Sequence, residues 1–76
     1  MNKQHRAKLV GAIECLNKAV EIIAYVIGEE QDSLESMPDN LQSSDKYQDM
    51  ENTIDDLYDI IEDIDAINDR ISYIID

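Results

Sequence analysis

The chain has no phenylalanine and no tryptophan, and only one proline, one histidine, one cysteine and two glycines. Each scarcity excludes something. A single Cys15 leaves no internal disulfide. One cysteine and the lone His5 cannot supply the Cys/His sets of structural zinc sites. Nor do they make a Ser-His-Asp or Cys-His catalytic group that the sequence supports. Gly11 and Gly28 alone give no glycine-rich phosphate loop. There is no Asp-x-Asp-x-Asp-Gly run for a calcium loop. The expectation is a non-enzymatic protein with no cofactor and no resident metal. Long apolar runs are also missing. The longest, Ala19 to Ile27, is interrupted by Glu21 and stops at Gly28, far short of the roughly 18 residues that a bilayer span requires. The basic N-terminal residues are not followed by a signal-peptide core and cleavage site. The sequence therefore predicts a cytoplasmic protein with no membrane partner.

What the chain does have is apolar periodicity. Leu9, Ile13, Leu16, Val20, Ile23 and Ile27 recur at steps of 4, 3, 4, 3, 4. Beside them run Ala12, Cys15, Ala19, Ile22 and Val26 at steps of 3, 4, 3, 4. One such stripe is a coiled-coil seam. Two adjacent stripes demand burial of two neighbouring faces, which one partner helix cannot cover. Cys15 lies on the second stripe and reads as a buried small hydrophobe. At 76 residues the chain is one domain, and a core this small rarely supplies more than about 3–5 kcal/mol alone. With disulfide and metal excluded, oligomerisation is the remaining reinforcement.

The elements follow. Helix 1 spans about 3–36, ended by Pro38 acting on Met37. The connection, 37–42, holds the turn formers Pro38, Asp39 and Asn40, with Met37 and Leu41 expected to plug the hairpin end. Helix 2 spans about 43–75, capped by Ser43 or Ser44 with Asp45 in its first turn. Its seam is Tyr47, Met50, Ile54, Leu57, Ile61, Ile64, Asn68, Ile71 and Ile75. Ile60, Ile67 and Ile74 widen the apolar face late in the helix. Asn68 is the one polar seam residue; it either fixes register and oligomer state or turns its amide outward. The predicted fold is all-α: an antiparallel two-helix hairpin assembling into a homo-oligomeric helical bundle. The oligomer interface is expected at Ala12, Cys15, Ala19, Ile22, Val26, Ile60, Ile67 and Ile74.

The charge is segregated. The net charge is −12, yet residues 1–20 carry +3 and residues 21–76 carry −15. The acidic excess argues against direct binding of nucleic acid over a broad surface. The stretch Glu29-Glu30-Gln31 through Met37-Pro38 to Leu41-Gln42-Ser43-Ser44, with the acidic helix beyond it, resembles a group of small acidic proteins encoded by bacteriophages and prophages. The likeness covers roughly residues 25–65. It implies an origin in a phage, hence the host cytoplasm, and an accessory role in blunting host defence; it assigns no site residue.

Three surfaces are candidates for function. At the predicted hairpin tip, Lys3, His5, Arg6 and Lys8 from the start of helix 1 lie beside Arg70 and Tyr73. Cations with a nearby aromatic and free helix N–H groups suit a small anionic nucleotide, so sequestration of a signalling nucleotide is the leading functional expectation. The alternative reading of those cations is pairing with Asp65, Asp69 and Asp76. On helix 2, Asp55, Asp59, Glu62 and Asp63 form an acidic strip with carboxylates on adjacent turns, about 5–6 Å apart. That strip suits a nucleic-acid mimic that inhibits a basic host protein, or simply a solvated face; carboxylates so spaced also suit a divalent ion, but they lie opposite the seam. The third reading is a structural assembly module with no ligand. The four tyrosines read as bundle-edge packing.

Overall fold

The computed structural model describes residues 1–76. It contains two long helices, α1 (Lys3–Glu35) and α2 (Asp45–Ile75), joined by a short 3₁₀ turn at Asp39–Leu41. There are no strands. The helices pack against each other as a hairpin.

The ends are set by local chemistry. Asn2 caps α1: its Oδ1 accepts from the backbone N–H of His5 at 2.8 Å. The helix stops at Ser36, whose hydroxyl donates to the Asp32 carbonyl at 2.8 Å, just before Pro38. Of the two serines, Ser44 is the cap of α2. It adopts extended backbone and its Oγ accepts from the Tyr47 N–H at 3.2 Å. The same hydroxyl donates to the Leu41 carbonyl at 2.6 Å, tying the turn to the helix start. Met37 is half-buried at this end, but Leu41 is exposed. The expectation that both plug the hairpin is met by Met37 alone, because the tight 3₁₀ turn holds Leu41 on its outside.

Both primary seams face inward along their whole length. Every seam residue from Leu9 to Ile27 and from Tyr47 to Ile75 is buried or half-buried. Burial is deepest in the half nearer the turn, at Ile27 (3% exposed) and Ile54 (5%). The pair forms a thin core: 60 × 15 × 12 Å overall, with a radius of gyration of 17.5 Å. A compact chain of this length would have a radius near 11 Å. Its accessible surface is 5838 Å², whereas a compact monomer of this mass exposes about 4,700 Å².

Two polar contacts cross between the helices. Asn68 Nδ2 donates to Asn17 Oδ1 at 2.9 Å across the hairpin. Nearer the turn, Gln31 Nε2 donates to the Tyr58 hydroxyl at 3.1 Å. Of the two expectations for Asn68, its amide turns to the opposite helix rather than outward. Its Oδ1 is buried and has no hydrogen-bond partner.

Candidate functional site

The Asn17–Asn68 bond sets the level of the other pairs near this end; nearer the turn the Gln31–Tyr58 bond departs from that count by four residues, about one turn, bridged by longer side chains. Seven residues back along α1 is Val10, and seven residues on along α2 is Ile75, the last of the helix. Lys3 to Lys8 therefore project past the end of α2 by up to two turns, about 10 Å at 1.5 Å per residue. The burial pattern agrees: residues 1–8 are all exposed, and Leu9 is the first to be half-buried.

This placement separates the six residues of the predicted tip. Lys3, His5, Arg6 and Lys8 belong to a single projecting helix. Tyr73, 85% exposed, sits level with Ala12, and Arg70 level with Cys15. The separation from Arg6 is thus six and nine residues of helix, or roughly 9 and 13 Å along the axis. The structure brings Arg70 and Tyr73 close to one another but not to the projecting cations. No cavity lies at this end. The tip cations also have no carboxylate partner, since the one ion pair in the protein is Lys18–Glu21 at 3.5 Å on the open surface. The expected neutralisation by Asp65, Asp69 and Asp76 does not occur. Asp69 lies level with Leu16, well below the projecting segment.

The acidic strip is laid out as its spacing implies. Asp55, Asp59, Glu62 and Asp63 are all exposed and none is ion-paired. They do not converge on a point that a metal ion would occupy. Asp55 borders a shallow groove of about 200 Å³ together with Gln31, Leu34, Glu51, Ile54 and Tyr58. This groove marks one side of the hairpin, which is polar.

The opposite side carries the secondary apolar stripes. A second groove, about 400 Å³, is lined there by Val26, Glu30, Lys46, Asp49, Met50, Thr53 and Leu57. Val26 carries the α1 stripe of Ala12 and Ala19 at seven-residue steps. Thr53 carries the α2 stripe of Ile60, Ile67 and Ile74 at the same step. Hence both secondary stripes share one side of the molecule. Ile22 is 56% exposed, Ile67 44% and Ile74 58%. Val26, Ile60 and Cys15 are exposed as well, while Ala12 and Ala19 are half-buried between the helices. All eight residues of the expected oligomer interface thus belong to one continuous side of the hairpin. In the single chain that side faces water.

Sequence reasoning did not identify Asn17 or the grooves. Asn17 is an exposed polar residue in a helix rich in them. Its signal is geometric: it pairs with Asn68 only once the register is known. Neither helix is long and apolar enough to cross a membrane. Compared with known family models, curated proteins and solved structures, the chain matches none.

Proposed function

We propose that this chain is a non-enzymatic helical association module that works as a homo-oligomer, its copies joined through the apolar side of the hairpin. The observation that carries this reading is the exposed isoleucine row. Ile22, Ile60, Ile67 and Ile74 stand in solvent on the same side, next to seams that are already filled. Isolated surface hydrophobics are ordinary; a contiguous apolar side on a rod is a binding surface. The accessible surface exceeds that of a compact monomer by about 1,100 Å², the excess of a rod whose side is uncovered. Asp55, Asp59 and Glu62 lie away from this side, so assembly leaves them open to a basic partner protein; Asp63, three residues after Ile60 and four before Ile67, borders it.

The test is mass in solution. Wild-type protein should scatter light as an oligomer at micromolar concentration. Ile22→Glu and Ile67→Glu, each placing a carboxylate on the exposed row, should give lower mass. A monomeric wild type, or an oligomer indifferent to both substitutions, would reject the reading.

A second reading concerns the projecting segment. Lys3, Arg6 and Lys8 have no ion-pair partner, and cations at a helix N-terminus oppose its dipole. That supports a role for them in holding a small anion, such as a signalling nucleotide of the host, with the protein acting as a phage-type accessory factor against host defence. Calorimetric titration with cyclic and linear nucleotides tests it. Binding that Arg6→Glu abolishes, with the oligomer intact, is the expected result; no heat with any nucleotide would sink it.

A further inference from the structure

The apolar side is not uniform along its length, and this determines the direction in which copies pair. Its α1 stripe reads Ala12, Ala19, Val26, Ser33 and its α2 stripe reads Ile74, Ile67, Ile60, Thr53, Lys46. From the Asn17–Asn68 level, Ala19 is two residues on and Ile67 one residue back, so these two lie within about one helical turn of the same height. By the same count Ala12 matches Ile74, Val26 matches Ile60, and Ser33 matches Thr53. At each apolar height a small or medium residue on α1 thus faces the height of a protruding isoleucine on α2. The half nearer the turn is polar: Ser33, Glu30, Lys46, Asp49 and Thr53.

We propose that two copies pair side by side in the same direction, by a two-fold axis along the rod, so that Ile60, Ile67 and Ile74 of each seat on Val26, Ala19 and Ala12 of the other. The proposal rests on the assembly reading given above. This axis lays α1 of one copy over α2 of its partner at unchanged height. Apolar half then meets apolar half, and each isoleucine knob meets the low part of the facing helix, as close packing favours. Charge agrees. Lys8 lies one turn before Ala12 on the same side of α1, and it falls next to Asp76 of the partner subunit. In a single copy Lys8 is unpaired.

The opposite direction packs less well on the same residues. A two-fold axis across the rod stacks α2 on α2 and α1 on α1, antiparallel. Centred on Ile67 it keeps the apolar halves together, but sets Ile67 on Ile67 and Ile60 on Ile74 while Ala19 faces Ala19 across a gap. Pairing in the same direction also brings both projecting segments, with Lys3, His5 and Arg6 of each copy, to one end of the assembly. The cationic surface formed there has contributions from two chains.

Mixed-chain crosslinking tests the direction. In a Cys15→Ser background, chains carrying Ala19→Cys are unfolded and refolded together with chains carrying Ile67→Cys, then oxidised. Each chain has one thiol, so any disulfide joins two copies. The expected result is an efficient Ala19→Cys/Ile67→Cys link, and little with chains that all carry Ile67→Cys or with an Ile60→Cys/Ile74→Cys mixture. The reverse preference overturns the proposal, as does failure of every combination in chains whose mass is still oligomeric. An independent readout leaves the interface untouched: a spin label on Gln4→Cys. Two such labels should lie within about 30 Å for helices packed 8–10 Å apart; a separation of about 45 Å or more, which antiparallel pairing about the Ala19 level gives at 1.5 Å per residue, overturns the direction. A monomeric mass overturns the assembly reading as well, so the two failures are distinct.

Discussion

Replacing Asn68 by leucine should make the protein more stable. Asn68 lies on the seam between Ile64 and Ile71, half-buried, with one hydrogen bond, to Asn17, at 2.9 Å. Its Oδ1 is shielded from solvent and unpaired. Leaving a buried acceptor unsatisfied costs about 1–3 kcal/mol, against a gain of about 0.5–1.5 kcal/mol for the bond that is made. Leucine removes both terms and adds apolar burial. Asn17 is exposed, so its amide regains water when its partner goes. The net expectation is a stabilisation of about 1–2 kcal/mol. For a domain of this size that is a rise of roughly 5–15 °C in Tm. Urea denaturation followed by circular dichroism, at equal chain concentrations because assembly contributes to stability, measures it. The substitution should also cost uniqueness, since an apolar seam without its polar pair is free to slide by a heptad. Light scattering would then show a broader range of masses. A variant less stable than wild type would refute the reasoning, for it would mean that Oδ1 has a partner in solution.

Other substitutions probe separate parts of the same account. Gly28→Ala should stabilise by up to about 1 kcal/mol, because Gly28 is exposed in mid-helix and an added Cβ there meets nothing within 4 Å; a loss in the same urea assay would place something against that position. Ile54→Ala should cost about 2–5 kcal/mol, since Ile54 is one of the two buried residues, and a cost near zero would put the core elsewhere. Changing Asp55, Asp59 and Asp63 together to asparagine should leave fold and mass unchanged while weakening capture of any basic partner in a salt-dependent way. Loss of the oligomer in that variant would place the acidic strip at the interface.

The heptads made most of this fold legible. Steps of three and four locate both seams, and Pro38 and the serine pair locate the turn within a residue or two. The second stripe of α1 announces an uncovered side. Relative register is another matter. A heptad pattern repeats every seven residues, so it fits equally well when one helix slides by a heptad against the other. Equal helix lengths suggest flush ends; the Asn17–Asn68 bond instead lets α1 run past α2. That offset takes Lys3 and Arg6 away from Asp65 and Asp69 and removes the expected ion pairs. Leu41 misled for a similar reason, because apolarity indicates a wish for burial and the backbone of a 3₁₀ turn decides the direction. The candidate site was thus legible as a list of charges but not as a geometry.

The stretch from Lys3 to Lys8 is a helix with nothing beside it in the single chain. Short helices without packing are marginal in water, and here only the Asn2 cap and continuity with the rest of α1 hold it. Its amides should trade their protons for deuterium long before those at Ile27 or Ile54 do. Whatever settles on this stub, whether another copy or a small anion, would slow that exchange, so the segment serves as its own reporter of occupancy.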